Sequence, residues 1–110
     1  MAALLLRVKG YRIEERNWRC GAGELDIVAR DGATVVFVEV KARANRSAGS
    51  PEEAVDARKQ RRLVLLAQTY LASRRLDDVP CRFDVITVER NGVRPIVRHI
   101  KDAFRADGLV

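Results

Sequence analysis

The sequence predicts a layered α/β domain: a central mixed sheet of about five strands flanked by helices. Three observations carry that expectation. Five runs of alternating or β-branched residues are separated by turn signals. Between the third and fourth runs, Leu63, Leu66, Ala67, Tyr70 and Leu71 recur at spacings of three and four, the period of a helix packed by one face. The run Val35-Val36-Phe37-Val38-Glu39-Val40 is apolar on both faces until its end, as in a strand covered on both sides. A chain of 110 residues, 47% hydrophobic and 33% charged, suffices for one core of this kind, so residues 1–110 read as a single domain without internal repeats.

The chain opens with Ala2-Ala3-Leu4-Leu5-Leu6, a short amphipathic helix ending at Gly10, a residue suited to the left-handed position that closes a helix. Five apolar residues followed by Arg7 and Lys9 are too few for a signal-peptide core and carry the charge on the wrong side, so no membrane partner is expected. Tyr11 to Trp18 alternates loosely and reads as a first strand, closed by Cys20-Gly21-Ala22-Gly23. Glu24 to Arg30 and Thr34 to Lys41 follow as an antiparallel pair joined through Asp31-Gly32.

Residues 42–49 are small, polar and basic and read as a loop. Ser50-Pro51-Glu52-Glu53 combines an N-cap serine, a first-turn proline and a capping-box glutamate; the helix starting there is expected to pause near Asp56 and resume to about Arg75. Asp77-Asp78-Val79-Pro80 breaks it. Cys81 to Arg90 alternates as a strand, Asn91-Gly92 turns it into Val93 to Ile100, and a short helix is expected around Lys101 to Arg105.

Lys and Arg number 21 against 15 Asp and Glu, a net charge of +6. Residues 1–40 and 76–110 each balance, so residues 41–75 carry the whole excess. Arg43, Arg46, Arg58, Lys59, Arg61 and Arg62 lie in that segment and are candidate contacts to a polyanion backbone such as nucleic acid. Cys20 and Cys81 stand far apart with no CxxC pair and one histidine in the chain, which argues against a disulfide framework or zinc site and suggests reduced thiols in a cytoplasmic protein. Trp18 and Tyr70 fall in apolar patterns and read as core; His99 reads as structural or surface.

Side chains alternate along a strand, so Glu39 and Lys41 share a face, as do Glu24 and Asp26 on theirs. With Asp31-Gly32 as the loop, paired residue numbers sum to 63, setting Glu24 opposite Glu39 and Asp26 opposite Phe37, with all four polar groups on one face. Three carboxylates beside one ammonium call for a further cation, and a hard ion such as Mg²⁺ commonly rests on one or two carboxylates. Such an ion polarises a phosphate and lowers the pKa of a water, while a neighbouring lysine steadies developing charge. The competing reading is a solvent-facing ion-pair cluster on an ordinary hairpin.

Five blocks stand in order: Gly23-Glu24-Leu25-Asp26-Ile27-Val28-Ala29-Arg30, Val36-Phe37-Val38-Glu39-Val40-Lys41-Ala42-Arg43, Gly49-Ser50-Pro51-Glu52-Glu53-Ala54-Val55, Arg58-Lys59-Gln60-Arg61-Arg62-Leu63 and Cys81-Arg82-Phe83-Asp84-Val85. Together they resemble the YraN-like family of small bacterial proteins, which is similar to archaeal Holliday junction resolvases and belongs to the PD-(D/E)XK nuclease superfamily. The resemblance runs from Gly10 to Phe104. It implies a restriction-endonuclease-like fold and a Mg²⁺- or Mn²⁺-dependent endonuclease acting on DNA, branched or junction DNA included.

Carried over position by position, the superfamily's metal-binding Asp is Asp26, its metal-binding Glu is Glu39 and its catalytic Lys is Lys41. Gln60 matches a glutamine that resolvase-like members carry on the helix after the core strands, facing the active site. A homodimer would suit a two-fold branched substrate. The chain departs from the pattern at its start: members usually carry an acid on the first helix, whereas no acidic residue here precedes Glu14. Either the first helix is shortened here or this chain lacks that ligand, and Glu24 is then a candidate additional metal ligand. A second reading keeps the fold and the basic face as a nucleic-acid-binding module without catalysis.

Overall fold

The computed structural model describes residues 1–43 and 55–106. Arg46, and the helix start expected at Ser50-Pro51-Glu52-Glu53, lie outside them. The elements run α1 (Ala2–Val8), β1 (Arg12–Cys20), β2 (Gly23–Asp31), β3 (Thr34–Arg43), α2 (Ala57–Ser73), β4 (Cys81–Asn91) and β5 (Arg94–Phe104). This is the expected order of helix, three strands, helix and two strands, and it is a mixed α/β sheet. The strands lie in the order β1-β2-β3-β4-β5; every neighbouring pair is antiparallel except β3 and β4, which α2 connects as a parallel crossover.

The two helices cover opposite faces, and β3 feeds both cores. Val35 and Phe37 pack with Leu63, Leu66 and Tyr70 of α2, whereas Val36 and Val38 pack with Ala2, Ala3 and Leu6 of α1. Burial of each such aliphatic side chain contributes roughly 1.5–3 kcal/mol, which is why the doubly apolar run becomes the middle strand. Trp18 meets Tyr70 edge to face at 5.3 Å, so both aromatics belong to the α2-side core.

Helix α1 ends as its sequence requires. Tyr11 N–H donates to the Leu6 carbonyl and Gly10 N–H to that of Arg7, with Gly10 at φ 92°, a conformation glycine adopts without a Cβ penalty. Asp56 caps α2 by accepting from the Lys59 amide at 2.9 Å. The resumption expected near Asp56 is thus the start of the helix among the described residues.

Three expectations are corrected, one of them the β4–β5 turn, which is Gly92-Val93 and not Asn91-Gly92 because Asn91 pairs with Arg94. The β2–β3 loop is Gly32-Ala33, not Asp31-Gly32: Asp31 pairs with Thr34 and Val28 with Phe37, so paired numbers sum to 65. Gly32 has φ 61°, and the first position of a two-residue hairpin loop is where a left-handed glycine fits when a non-glycine follows. The helix expected around Lys101 to Arg105 is instead the end of β5, which runs to Phe104. A bulge there puts Asp102 at φ 51°, its amide donates to Asp84 Oδ1 at 3.0 Å, and Phe104 stacks on Phe83 at 4.8 Å.

Candidate functional site

The site forms where β2 and β3 part. Their ladder reaches Ile27 and Val38. The next inward amide on β3, that of Val40, donates to Asp26 Oδ2 at 2.8 Å. A carboxylate side chain thereby replaces a backbone carbonyl, and the strands separate at the polar end of β3. On β2 the alternation also breaks at Asp26, because Leu25 and Val28 both join the α2-side core while Ile27 joins the other. Opposite Asp26 on β1, Asn17 adopts φ 54° between the pairs Arg16–Ile27 and Trp18–Leu25.

Glu39 continues the α2-facing series after Val35 and Phe37 and is 9% exposed. It lines a small apolar pocket together with Leu25, Phe37, Leu63 and Phe83. Its pKa is pushed up to about 7, first by burial and then by the Asp26 carboxylate, with Lys59 pulling the other way. Lys59 Nζ stands 3.4 Å from Glu39 Oε1. Lys41, two residues beyond Glu39 on the same face, is held below the usual lysine range by the hydrogen bond with Lys59 and by burial, against the attraction of Glu39 and Asp26. Burial also pulls Lys59 down, but the hydrogen bond with Lys41 and the attraction of Glu39 and Asp26 outweigh it and hold the ammonium above its usual range.

Asp26, Glu39 and Lys41 are thus brought together, and Lys59, expected to contact a polyanion, joins them. Glu24 does not: it falls beyond the break in β2 and pairs with Arg19 at 2.8 Å. Gln60 Nε2 donates to the Val55 carbonyl at 3.0 Å, holding the entry to α2. Arg58, Arg61 and Arg62 are exposed around the first turns of α2, and Arg43 closes β3 in register with Glu89. Asp26 also lines a cleft of about 320 Å³ on the α1 side, shared with Arg16, Asn17 and Val40. Among the described residues no group of three or more His, Cys, Asp or Glu is arranged to hold a metal. Asp26 and Glu39 are the pair available.

A second polar group was not foreseen from the sequence. Asp84, fully enclosed on the α1 side of β4, accepts from Arg82 Nε at 2.8 Å and from His99 Nε2 at 2.7 Å. Burial alone raises its pKa, but the hydrogen bonds from His99, Arg82 and the Asp102 amide prevail and bring it to about 2. Arg82 also reaches Asp31 at 3.0 Å. His99 is therefore structural, tying β5 to β4. Cys20 and Cys81 are both free thiols, and no helix among the described residues is long and apolar enough to cross a membrane.

Fold and site together define a small mixed α/β protein with two carboxylates and two lysines gathered at the end of its central strand. The chain belongs to the uncharacterised protein family UPF0102, whose model matches residues 1–88. It is 54% identical over 105 residues to a UPF0102 protein of Moorella thermoacetica, covering 94% of this chain and 88% of that one. A UPF0102 protein of Syntrophotalea carbinolica is 52% identical over 108 residues, covering 98% and 88%. One of Geotalea uraniireducens is 49% identical over 105 residues, covering 94% and 83%.

Proposed function

We propose that this protein is a Mg²⁺- or Mn²⁺-dependent endonuclease of the PD-(D/E)XK type, hydrolysing phosphodiester bonds of DNA. The observation that carries the reading is the pairing of Asp26 with a buried Glu39 whose carboxyl is driven to about 7, an accumulation of negative charge that a divalent cation relieves. The donor set fits: two carboxylates are what Mg²⁺ takes from proteins of this kind, with water completing its shell. Asp on β2, Glu-x-Lys on β3 and the order α1-β1-β2-β3-α2-β4 support the superfamily.

Asp26 and Glu39 would hold the ion. When bound, it supplies Lewis-acid polarisation of a phosphoryl oxygen and a lowered pKa for water. Lys41, with its pKa lowered, serves to accept or steady a proton at its Nζ during attack on phosphorus. Arg58, Arg61 and Arg62 position the DNA backbone, since their guanidinium forks match phosphate oxygens. Branched or four-way DNA and a two-fold dimer are part of the proposal.

The test is a cleavage panel of linear, flapped and four-way DNA with Mg²⁺ or Mn²⁺, using wild type, Glu39→Gln and Lys41→Met. Cutting by wild type and its loss in both variants, with the fold retained, is the expected result. Undiminished cutting by both variants removes the assignment. A second reading, DNA binding without turnover, draws on the pairing of Glu39 with Lys59, which already neutralises part of the site. Metal-independent binding with no cutting under Mn²⁺ decides for it.

A further inference from the structure

Lys59 is committed to the carboxylates by the way its helix begins. The Asp56 side chain accepts from the Lys59 amide at 2.9 Å, fixing the first turn of α2. Its side chain lies on the same stripe as Leu63, Ala67 and Tyr70, so the buried face of the helix continues as an aliphatic stem that carries Nζ to 3.4 Å from Glu39 Oε1. The Glu39 side chain is 10% exposed and that of Lys59 33%, which leaves the ammonium open to solvent and the carboxylate enclosed. Asp26 on β2 and Lys41 on β3 complete the surroundings of Nζ.

A divalent cation seeks the same oxygens. One ammonium offsets one of the two carboxylates, whereas a divalent ion offsets both, and three cationic groups cannot share that space without mutual repulsion. We infer that Lys59 is a built-in counter-cation of the Asp26–Glu39 pair, which a divalent ion must displace from Glu39 in order to bind. This inference rests on the metal-binding reading above. It makes Lys59 a positioning residue whose charge sets metal affinity.

The test is direct Mn²⁺ binding, read as free Mn²⁺ by electron paramagnetic resonance, at low ionic strength and pH 8. Wild type, Lys59→Met, Lys59→Arg and Glu39→Gln are compared. Lys59→Met is expected to bind Mn²⁺ about tenfold more tightly, because a like charge beside the ion has gone, and Lys59→Arg to stay within about twofold of wild type, because the charge remains. Metal-free Lys59→Met should melt below wild type, and Mn²⁺ should raise its melting temperature by more. Equal or weaker binding by Lys59→Met overturns the inference; if Glu39→Gln at the same time abolishes binding, the metal reading stands and only the role of Lys59 fails. Glu39→Gln binding Mn²⁺ like wild type overturns the metal reading instead. Absence of Mn²⁺ binding in both wild type and Lys59→Met overturns both.

Discussion

Glu39→Gln should stabilise the metal-free protein at alkaline pH, although it alters one of the most buried polar residues. The carboxyl titrates at about 7 in the fold against 4.5 for an unperturbed glutamate. The folded state therefore holds the proton more tightly than the unfolded chain. Its contribution is fully present below pH 4.5 and is lost as pH rises through 7. The difference converts to up to about 3 kcal/mol at pH 8, at about 1.4 kcal/mol per unit. Glutamine resembles the protonated carboxyl in shape and cannot ionise, so the variant avoids that loss. Losing the pair with Lys59 is already contained in the shifted pKa, since Lys59 is one of its causes. At roughly 4 °C per kcal/mol for a domain of this size, the melting temperature of the variant should lie about 10 °C above wild type at pH 8 and converge with it near pH 4.5. Urea unfolding of both proteins in chelator, from pH 4.5 to 8.5, measures it. Parallel stability profiles, or a variant less stable at pH 8, would refute the reasoning. Added Mg²⁺ should narrow the gap by stabilising wild type alone.

Asp84→Asn should destabilise by about 3–5 kcal/mol in thermal or urea unfolding, because Arg82 and His99 are left facing a neutral amide in an enclosed site. Asp84 itself has a lowered pKa, so its contribution is present above 3.8 and disappears as pH falls through 2; across that window wild type should lose about 2 kcal/mol more than Asp84→Asn does. Replacing Arg58, Arg61 and Arg62 together by Gln should weaken DNA binding on every sequence and lower the slope of log affinity against log salt by about 2–3, read by fluorescence anisotropy over a salt series. Asp56→Ala, which removes the cap on α2, should cost about 1 kcal/mol and also loosen the lysine it positions, seen as a larger pH dependence around Glu39, whose raised pKa Lys59 otherwise pulls back down.

The carboxylate cluster was legible because facing residues in an antiparallel pair keep their parity. The expected loop placed Asp26 beside Phe37 and the observed one shifts the pairing by two, toward Glu39, yet the same side chains remain on the same face. Glu24 was lost to a different cause. Its inclusion assumed unbroken alternation along β2, and the break at Asp26, matched by left-handed Asn17 on β1, arises from Trp18 and Leu25 both packing toward Tyr70. That long-range demand leaves little local trace beyond asparagine's tolerance of positive φ. Lys59 carried a readable signal: it stands four residues before Leu63 on the apolar stripe, so it had to lie over the sheet. The end of β5 did not, since Lys101-Asp102-Ala103-Phe104 suits a helix locally and is held extended by Asp84 and Phe83 from another strand.

The position of the charges follows from where the two layers cease to cover β3. Up to Val38, helices pack on both faces and antiparallel β2 satisfies one edge, so each inward residue is apolar and each amide has a backbone partner. Beyond Val38 the parallel pairing with β4 continues as far as Arg43, but the ladder with β2 does not. The Val40 amide then needs an acceptor, and Asp26 provides it from the departing strand. A carboxylate used in this way is held fixed beside the next α2-facing position, Glu39, and the pair needs positive charge from whatever element covers it. That element is the first turn of α2, which presents Lys59 inward and Arg58, Arg61 and Arg62 outward. One separation of strands thus accounts for the acid pair, the lysine beside it and a basic rim at the same end of the sheet, the combination on which the proposed metal-dependent reaction on a phosphodiester rests.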